Sequence, residues 1–332
     1  MSKKWTDQKI RETIEVLQRH TDYQTAIEEL GETKDSIYNA FNRQGFYPPS
    51  EYLASSQEQI ERRKKMEPDK ALQTILIGSD FHFPFHNVRG VRNFLKFAGD
   101  LQPDHIVLNG DLLDCYTVSA FPKAPGMPDL QAELDMGIEF LQDLKSACPT
   151  AKITFIEGNH EERLKRFMKT NKALYGLRCF QLPKLLRLDE LDIDYVEYGD
   201  CLDFHSGVYE ISITHGHKVR KHSAYSAKGH LLDEYYANVI HGHTHRIGTF
   251  YQDGKLGRRR AFEIGGLFDR DQADYVTGEK NWQNGFAVLY TSKGSDCQEC
   301  GRAHDPEYPA ACYTVEMQNN GTFVWNGKIY DE

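Results

Sequence analysis

No stretch of this 332-residue chain is apolar for long enough to cross a bilayer, and Lys3 and Lys4 near its start have no apolar segment behind them. Secretion and membrane insertion are excluded on that reading, so the expected location is the cytoplasm and no membrane partner is expected. Net positive charge is missing too: 40 Lys and Arg against 49 Asp and Glu leave a formal charge of −9. With no global positive field to hold a polyanion, any contact with nucleic acid must depend on local features or on metal ions. Cysteine is sparse and odd in number, seven in all, which argues against a disulfide framework and suits a reducing compartment. Histidine is plentiful by contrast. Most of the 14 stand in short clusters beside Asp, Asn and Gly.

Residues 1–47 read as a small all-α, helix-turn-helix-like domain. Ile10, Ile14 and Leu17 share one face of a first helix, and Tyr23, Ala26, Ile27 and Leu30 share one face of a second that Gly31 ends. Thr33 can cap a third helix whose outer face carries Tyr38, Asn39, Asn42 and Arg43, the candidate nucleic-acid contacts. The alternative is a helical prefix that packs on the main domain or on a partner. Residues 48–72, with Pro48-Pro49, Ser55-Ser56 and the ERRKK run, read as a linker.

From residue 73 to 332 the pattern is α/β. Short apolar strands (TILIGSD, HIVLNGD, KITFIEGNH, YEISITHG, ANVIHGHTH) alternate with helices near 88–99 and 130–147, and each strand stops at a cluster of Asp, His or Asn. Ligands of α/β sheets bind beyond the carboxyl ends of strands, so the clusters should converge on one site. Residues 166–200 read as a helical, cap-like insertion. After residue 247, RRAFEIGG, FAVLYTS, CYTVEMQ and TFVWNGKIY read as mostly antiparallel strands.

In chain order the clusters are Asp80-x-His82, Gly110-Asp111-x-x-Asp114, Gly158-Asn159-His160-Glu161, His215-Gly216-His217 and Gly242-His243-Thr244-His245. Carboxylate, imidazole and amide donors with few thiolates suit borderline-hard divalent ions. In type, order and spacing the five motifs resemble the calcineurin-like metallophosphoesterase superfamily over about residues 74 to 265, nearest in pattern to its SbcD-type nuclease and phosphodiesterase branch. The resemblance implies a β-sandwich flanked by helices (αββα) and two divalent ions, manganese first, with iron, zinc, nickel or magnesium as alternatives. It implies that Asp80, His82, Asp111 and His245 hold one ion and that Asp111, Asn159, His215 and His243 hold the other, with Asp111 bridging. It also implies that His160 protonates the leaving oxygen and that Asp114 orients His160.

Other residues carry two readings. His86 and His217 line the cleft or support it by hydrogen bonds, and His241 reads as a packed core residue. Arg163, one helical turn past His160, could reach a phosphate or be solvated. Within residues 293–312, Cys297-x-x-Cys300-Gly301 with His304 and Cys312 could hold a structural zinc, or the thiols are simply reduced in a long hairpin loop.

Protein Ser/Thr phosphatases of the superfamily carry an Arg after the second motif, where this chain has Cys115-Tyr116. A diester bears one charge and gains less from such a clamp than a monoester. Glu161 points the other way, since it stands where nucleases of that branch have Asp and several phosphatase groups have Glu. The expected function is therefore a two-metal phosphoester hydrolase, foremost a nuclease or phosphodiesterase acting on nucleic acid. The alternatives are a phosphomonoesterase acting on a nucleotide or phosphoprotein, and a DNA-binding regulator whose metal domain is inert.

Overall fold

The computed structural model describes residues 72–120, 129–171, 173–206, 209–235, 237–254, 257–272, 280–292 and 310–332, with scattered residues before 72. Met1–Arg62 and Arg63–Glu332 form separate compact units. In the first, residues 28–30 are helical and Gly31 follows with φ +60°. Tyr38, Asn39, Asn42 and Arg43 lie outside the described residues, as do Cys297, Cys300 and His304.

The second unit is built on two sheets. Strands β1 (Leu72–Gly78), β2 (His105–Asn109), β3 (Lys152–Ile156) and β4 (Asp194–Val196) run parallel. Beyond β1 the same sheet continues antiparallel through β10 (Asn284–Ser292), β11 (Ala311–Met317), β12 (Phe323–Trp325) and β13 (Lys328–Tyr330). The second sheet has the order β5-β6-β7-β9-β8: β5 (Leu202–Ser206), β6 (Tyr209–Thr214), β7 (Asn238–His241), β8 (Ile247–Gly254) and β9 (Gly257–Ile264). Here β6, β7 and β9 are mutually parallel.

Unbroken apolar runs such as TILIG arise because both faces of β1 are covered. Leu76 packs outward with Ile106, Leu108, Phe94, Phe97, Phe140 and Leu144. Those aromatic residues come from helices α1 (Val88–Leu101) and α2 (Leu130–Ala147), and full burial of a phenyl ring of this kind stabilises by about 2–3 kcal/mol. The Asn87 side chain starts α1 by accepting the Gly90 N–H at 2.8 Å. Ile75 and Ile77 point the other way, into a layer shared with Val107, Ile156, Ile211, Ile213, Ile240 and Ile264. Helix α5 (Tyr225–His230) covers the outer face of the second sheet through Ala227, packed with Leu231, Val239 and Ala261. The layering is thus αββα, as the motifs imply. Among the described residues no helix is long and apolar enough to cross a membrane.

Two segments differ from the sequence reading. Residues 166–200 are not a purely helical cap. After α3 (Glu162–Thr170) and α4 (Leu182–Leu185) the chain buries Leu182, Leu186, Leu188 and Ile193 in the outer core and then adds β4 to the sheet edge. TFVWNGKIY is two strands, since Asn326 (φ +47°) and Gly327 (φ +75°) turn the chain back and pair Trp325 with Lys328. Asn-Gly is the dipeptide that such a tight hairpin turn favours.

Candidate functional site

The parallel strands deliver the motifs to one end of the two sheets. Ser79-Asp80 follows β1, Gly110-Asp111 follows β2, Asn159-His160 follows β3, His215 follows β6 and His243-Thr244-His245 follows β7. Asp80 (φ +54°), His82 (+54°), Asp111 (+51°), His243 (+64°) and His245 (+56°) all have left-handed backbone. That conformation costs a non-glycine residue roughly 1–2 kcal/mol, and its clustering on donor side chains marks a site that the surrounding packing holds in shape. Glycines contribute by close approach. A Cβ on Gly158 would lie 2.2 Å from Asp111 Oδ1, and one on Gly242 would lie 1.9 Å from Ser79 Oγ.

The donors form two groups joined by Asp111. Asp80, His82, Asp111 and His245 each place a ligand-type atom within 4.8 Å of the others, and Asp111, His215 and His243 do the same. In the first group His245 Nε2 lies 3.1 Å from Asp80 Oδ1 and 3.1 Å from His82 Nε2. Asp111 Oδ2 faces both groups, 3.8 Å from His82 Nε2 and 3.3 Å from His215 Nε2. Asn159 Oδ1 lies 3.0 Å from His215 Nε2. All seven residues expected to hold metal are therefore assembled. Two ring nitrogens facing each other at 3.1 Å beside a buried carboxylate form a donor set without a matching cation of its own, which is what a divalent ion supplies. The supporting bonds fit as well: His215 Nδ1 donates to the Asn109 carbonyl at 2.8 Å, which leaves Nε2 as its donor atom.

The electrostatics are those of a buried, tightly coupled cluster. Burial would raise the Asp80 carboxyl, but His245 outweighs it and brings the pKa down to about 2. Burial likewise opposes charge on His215, yet Asp111 pushes its pKa up to about 10. Asp111 itself stays well below the usual carboxylate range, because His160 and His215 overcome its burial. His243 is lowered to about 4, first by burial and then by His215. Phe268 and Trp282 wall the His245 side, with ring centroids 4.3 and 5.1 Å from the imidazole.

His160 and Asp114 meet as expected: His160 Nδ1 donates to the Asp114 carbonyl at 3.0 Å and lies 3.3 Å from its Oδ2. Asp114 does more than orient His160, since the same Oδ2 lies 3.2 Å from His82 Nδ1. Arg163 is not solvated. Its Nη1 donates to the Asp114 carbonyl at 2.9 Å and its Nη2 to His160 Nε2 at 2.8 Å.

Glu161 is the residue whose role the sequence did not disclose. It is fully buried and accepts the N–H groups of Asp111 (3.1 Å), Leu113 (2.8 Å) and Gly158 (2.9 Å), so it clamps the second and third motif loops together. Burial, and then Asp111, push its pKa up to about 8.

Four other described histidines, His86, His217, His230 and His241, stand outside the two donor groups. His241 is buried and donates to the Gly242 carbonyl at 2.8 Å, the core role expected of it. His86 packs on Phe83, with ring centroids 4.4 Å apart, and burial lowers its pKa to about 4. His217, His230 and Glu234 lie within ligand distance of one another, but the tautomer argues against an ion there. His230 Nε2 accepts the N–H groups of His217 and Lys218 at 3.4 and 3.3 Å, so the proton sits on Nδ1, which donates to Glu234 at 2.6 Å. A metal on Nδ1 would have to displace that proton, so the trio instead shapes the turn after His215. Cys312 does not join a described thiol cluster. It lies in β11 beside the inter-sheet core, and burial pushes its pKa up to about 12.

Residues 74–279 match the calcineurin-like phosphoesterase superfamily domain. The chain belongs to that superfamily, a family that uses divalent metals, and its Asp and His clusters are candidate metal-binding groups. The chain is 28% identical over 240 residues to the gene 54 protein of Mycobacterium phage L5, covering 65% of this chain and 88% of that protein. Among solved structures, it is similar to vacuolar protein sorting 29 from Cryptosporidium parvum (TM-score 0.38, 10% identity, 78% of this chain and 95% of that one). It is also similar to the Pseudomonas putida nuclease MPE (TM-score 0.30, 15% identity, 66% and 84%).

Proposed function

We propose that the protein is a two-metal phosphodiesterase that cleaves nucleic acid, with Asp80, His82, Asp111 and His245 holding one ion and Asp111, Asn159, His215 and His243 the other. The observation that carries this reading is the position of Asp111 Oδ2 between two complete donor groups. Such ions supply an activated nucleophile near neutral pH and brace both oxygens of an in-line displacement. The protein's own contributions follow from its contacts. The Ser79 hydroxyl and the His243 N–H fix the Asp80 carboxylate, and the His160 N–H fixes Asp111 Oδ1 at 2.8 Å. Phe268 and Trp282 keep water off the His245 side. His160 Nε2, 3.8 Å from Asp111 Oδ2, is placed to give a proton to the departing oxygen once the ring is protonated there, Nδ1–H being held by the Asp114 carbonyl.

The nucleic-acid half of the proposal is supported by the rim. Between His215 and Leu232 the sequence carries Lys218, Arg220, Lys221 and Lys228 with no carboxylate, in a chain that is acidic overall. Lys218 is tied to Asp233 and Glu234. Lys221 is exposed, and Arg246, next to the donor His245, spends an N–H on the Arg220 carbonyl. Among the described residues Lys221 makes no ion pair with a carboxylate, whereas the Arg246 charge also acts on the buried Glu263. Such cations suit a phosphate backbone running past the metal centre.

The test compares single-stranded DNA, duplex DNA, RNA, a cyclic nucleotide and a phosphomonoester on one manganese-loaded preparation. Polynucleotide cleavage is expected, with KM rising as salt rises. Lys221→Glu should raise that KM by about 3–10-fold at low salt and leave a small diester unaffected. Turnover of the monoester alone would favour the phosphomonoesterase reading, which the Arg163 guanidinium beside His160 also supports.

A further inference from the structure

We propose that Arg163 contacts the substrate, gripping a non-bridging phosphate oxygen, and that it does so by giving up its hydrogen bond to His160. The proposal rests on the phosphoesterase reading of the site.

Arg163 lies on the first turn of α3, its own N–H bonded to the His160 carbonyl at 3.1 Å. The side chain folds back over the strand-end loops and is only 20% exposed. Nη1 donates to the Asp114 carbonyl at 2.9 Å and lies 3.3 Å from Asp114 Oδ1, while Nη2 donates to His160 Nε2 at 2.8 Å. That nitrogen is 3.8 Å from Asp111 Oδ2, the oxygen facing both donor groups. A guanidinium N–H therefore occupies the lone pair of His160 Nε2. A departing oxygen that takes its proton from His160 must arrive at the same place, and the two cannot share it.

Chemistry decides which one yields. A guanidinium has five N–H donors and no acceptor, and it bonds an oxyanion more strongly than a neutral imidazole nitrogen. Nη1 can stay anchored on Asp114 while Nη2 turns to a phosphate oxygen. Phosphate binding then frees the Nε2 lone pair, which takes up a proton from water and so becomes the donor that the leaving oxygen needs; the grip and the arming of His160 are one sequence. The side chain thus supplies from α3 the guanidinium that position 115 lacks.

The experiment uses full-length, manganese-loaded protein with Arg163→Ala and Arg163→Gln, the latter keeping an N–H for Asp114. Inorganic phosphate is the probe, measured by calorimetry and as a competitive inhibitor of nitrophenyl diester hydrolysis. Metal content should be unchanged and phosphate affinity should fall about ten- to a hundredfold in both variants. The loss in kcat/KM should be equal for diesters with good and poor leaving groups, because a grip on a non-bridging oxygen does not depend on the leaving group. Phosphate affinity within about twofold of the parent in either folded variant, with losses confined to poor leaving groups, would overturn the proposal and reduce Arg163 to a support for His160. If the parent binds phosphate yet hydrolyses no phosphoester, the functional reading fails, while calorimetry still decides the role of Arg163.

Discussion

Asp111→Asn should strip both metal ions together and lower turnover by on the order of 10⁴-fold or more, about 5 kcal/mol of barrier. Asp111 is 1% exposed, and its Oδ2 faces His82 on one side and His215 on the other. The amide keeps the shape and can still accept the His160 N–H on its oxygen, as Asp111 Oδ1 does at 2.8 Å. It loses the negative charge that would balance two cations, so neither ion keeps its affinity. Replacing a residue of one group only, as in His245→Ala, should deplete one ion preferentially. Elemental analysis of the dialysed proteins checks both statements. A full metal complement in Asp111→Asn would refute the bridging role.

His160→Gln separates proton transfer from metal binding. The His160 side chain belongs to neither donor group around Asp111, so the variant should keep both ions and slow turnover by roughly 10²–10⁴-fold, the usual worth of a positioned proton donor. With a nitrophenyl leaving group, whose oxygen needs no proton, most of that loss should disappear. Steady-state rates on an alkyl diester and a nitrophenyl diester make the comparison. Equal losses on both would assign His160 to phosphate positioning instead. Asp114→Asn should fall between the two classes, because its carboxylate lies against both His160 and the donor His82, and burial is outweighed by those two partners in holding its pKa low.

Most of the donor set was legible in the sequence because each donor stands next to the end of an apolar strand, and chain order alone then brings the motifs to one edge. How the backbone presents them was not legible. Nothing in the residue types announces that Asp80, His82, Asp111, His243 and His245 themselves take left-handed φ, since that geometry is imposed by the packing of two sheets. Glu161 could be read only as a variant of the third motif. Its role as a clamp depends on backbone N–H groups from two loops 50 residues apart in sequence. Arg163 was ambiguous for a similar reason, because i+3 spacing from His160 says that the two residues are neighbours and not which way the guanidinium turns. The β4 strand was hidden by its length, three residues inside a stretch rich in helix formers. The β12–β13 turn, in contrast, is announced by Asn326-Gly327, although the segment also reads as one continuous strand.

In the proposed site one carboxylate, Asp111, joins two metal ions at the strand ends. Anomalous diffraction at the manganese edge, on crystals of the loaded full-length protein, tests it most directly. Two peaks about 3.5–4 Å apart are expected, one among Asp80, His82 and His245, the other among Asn159, His215 and His243, both within bonding distance of Asp111. A single peak, or two peaks that do not share Asp111, would contradict it.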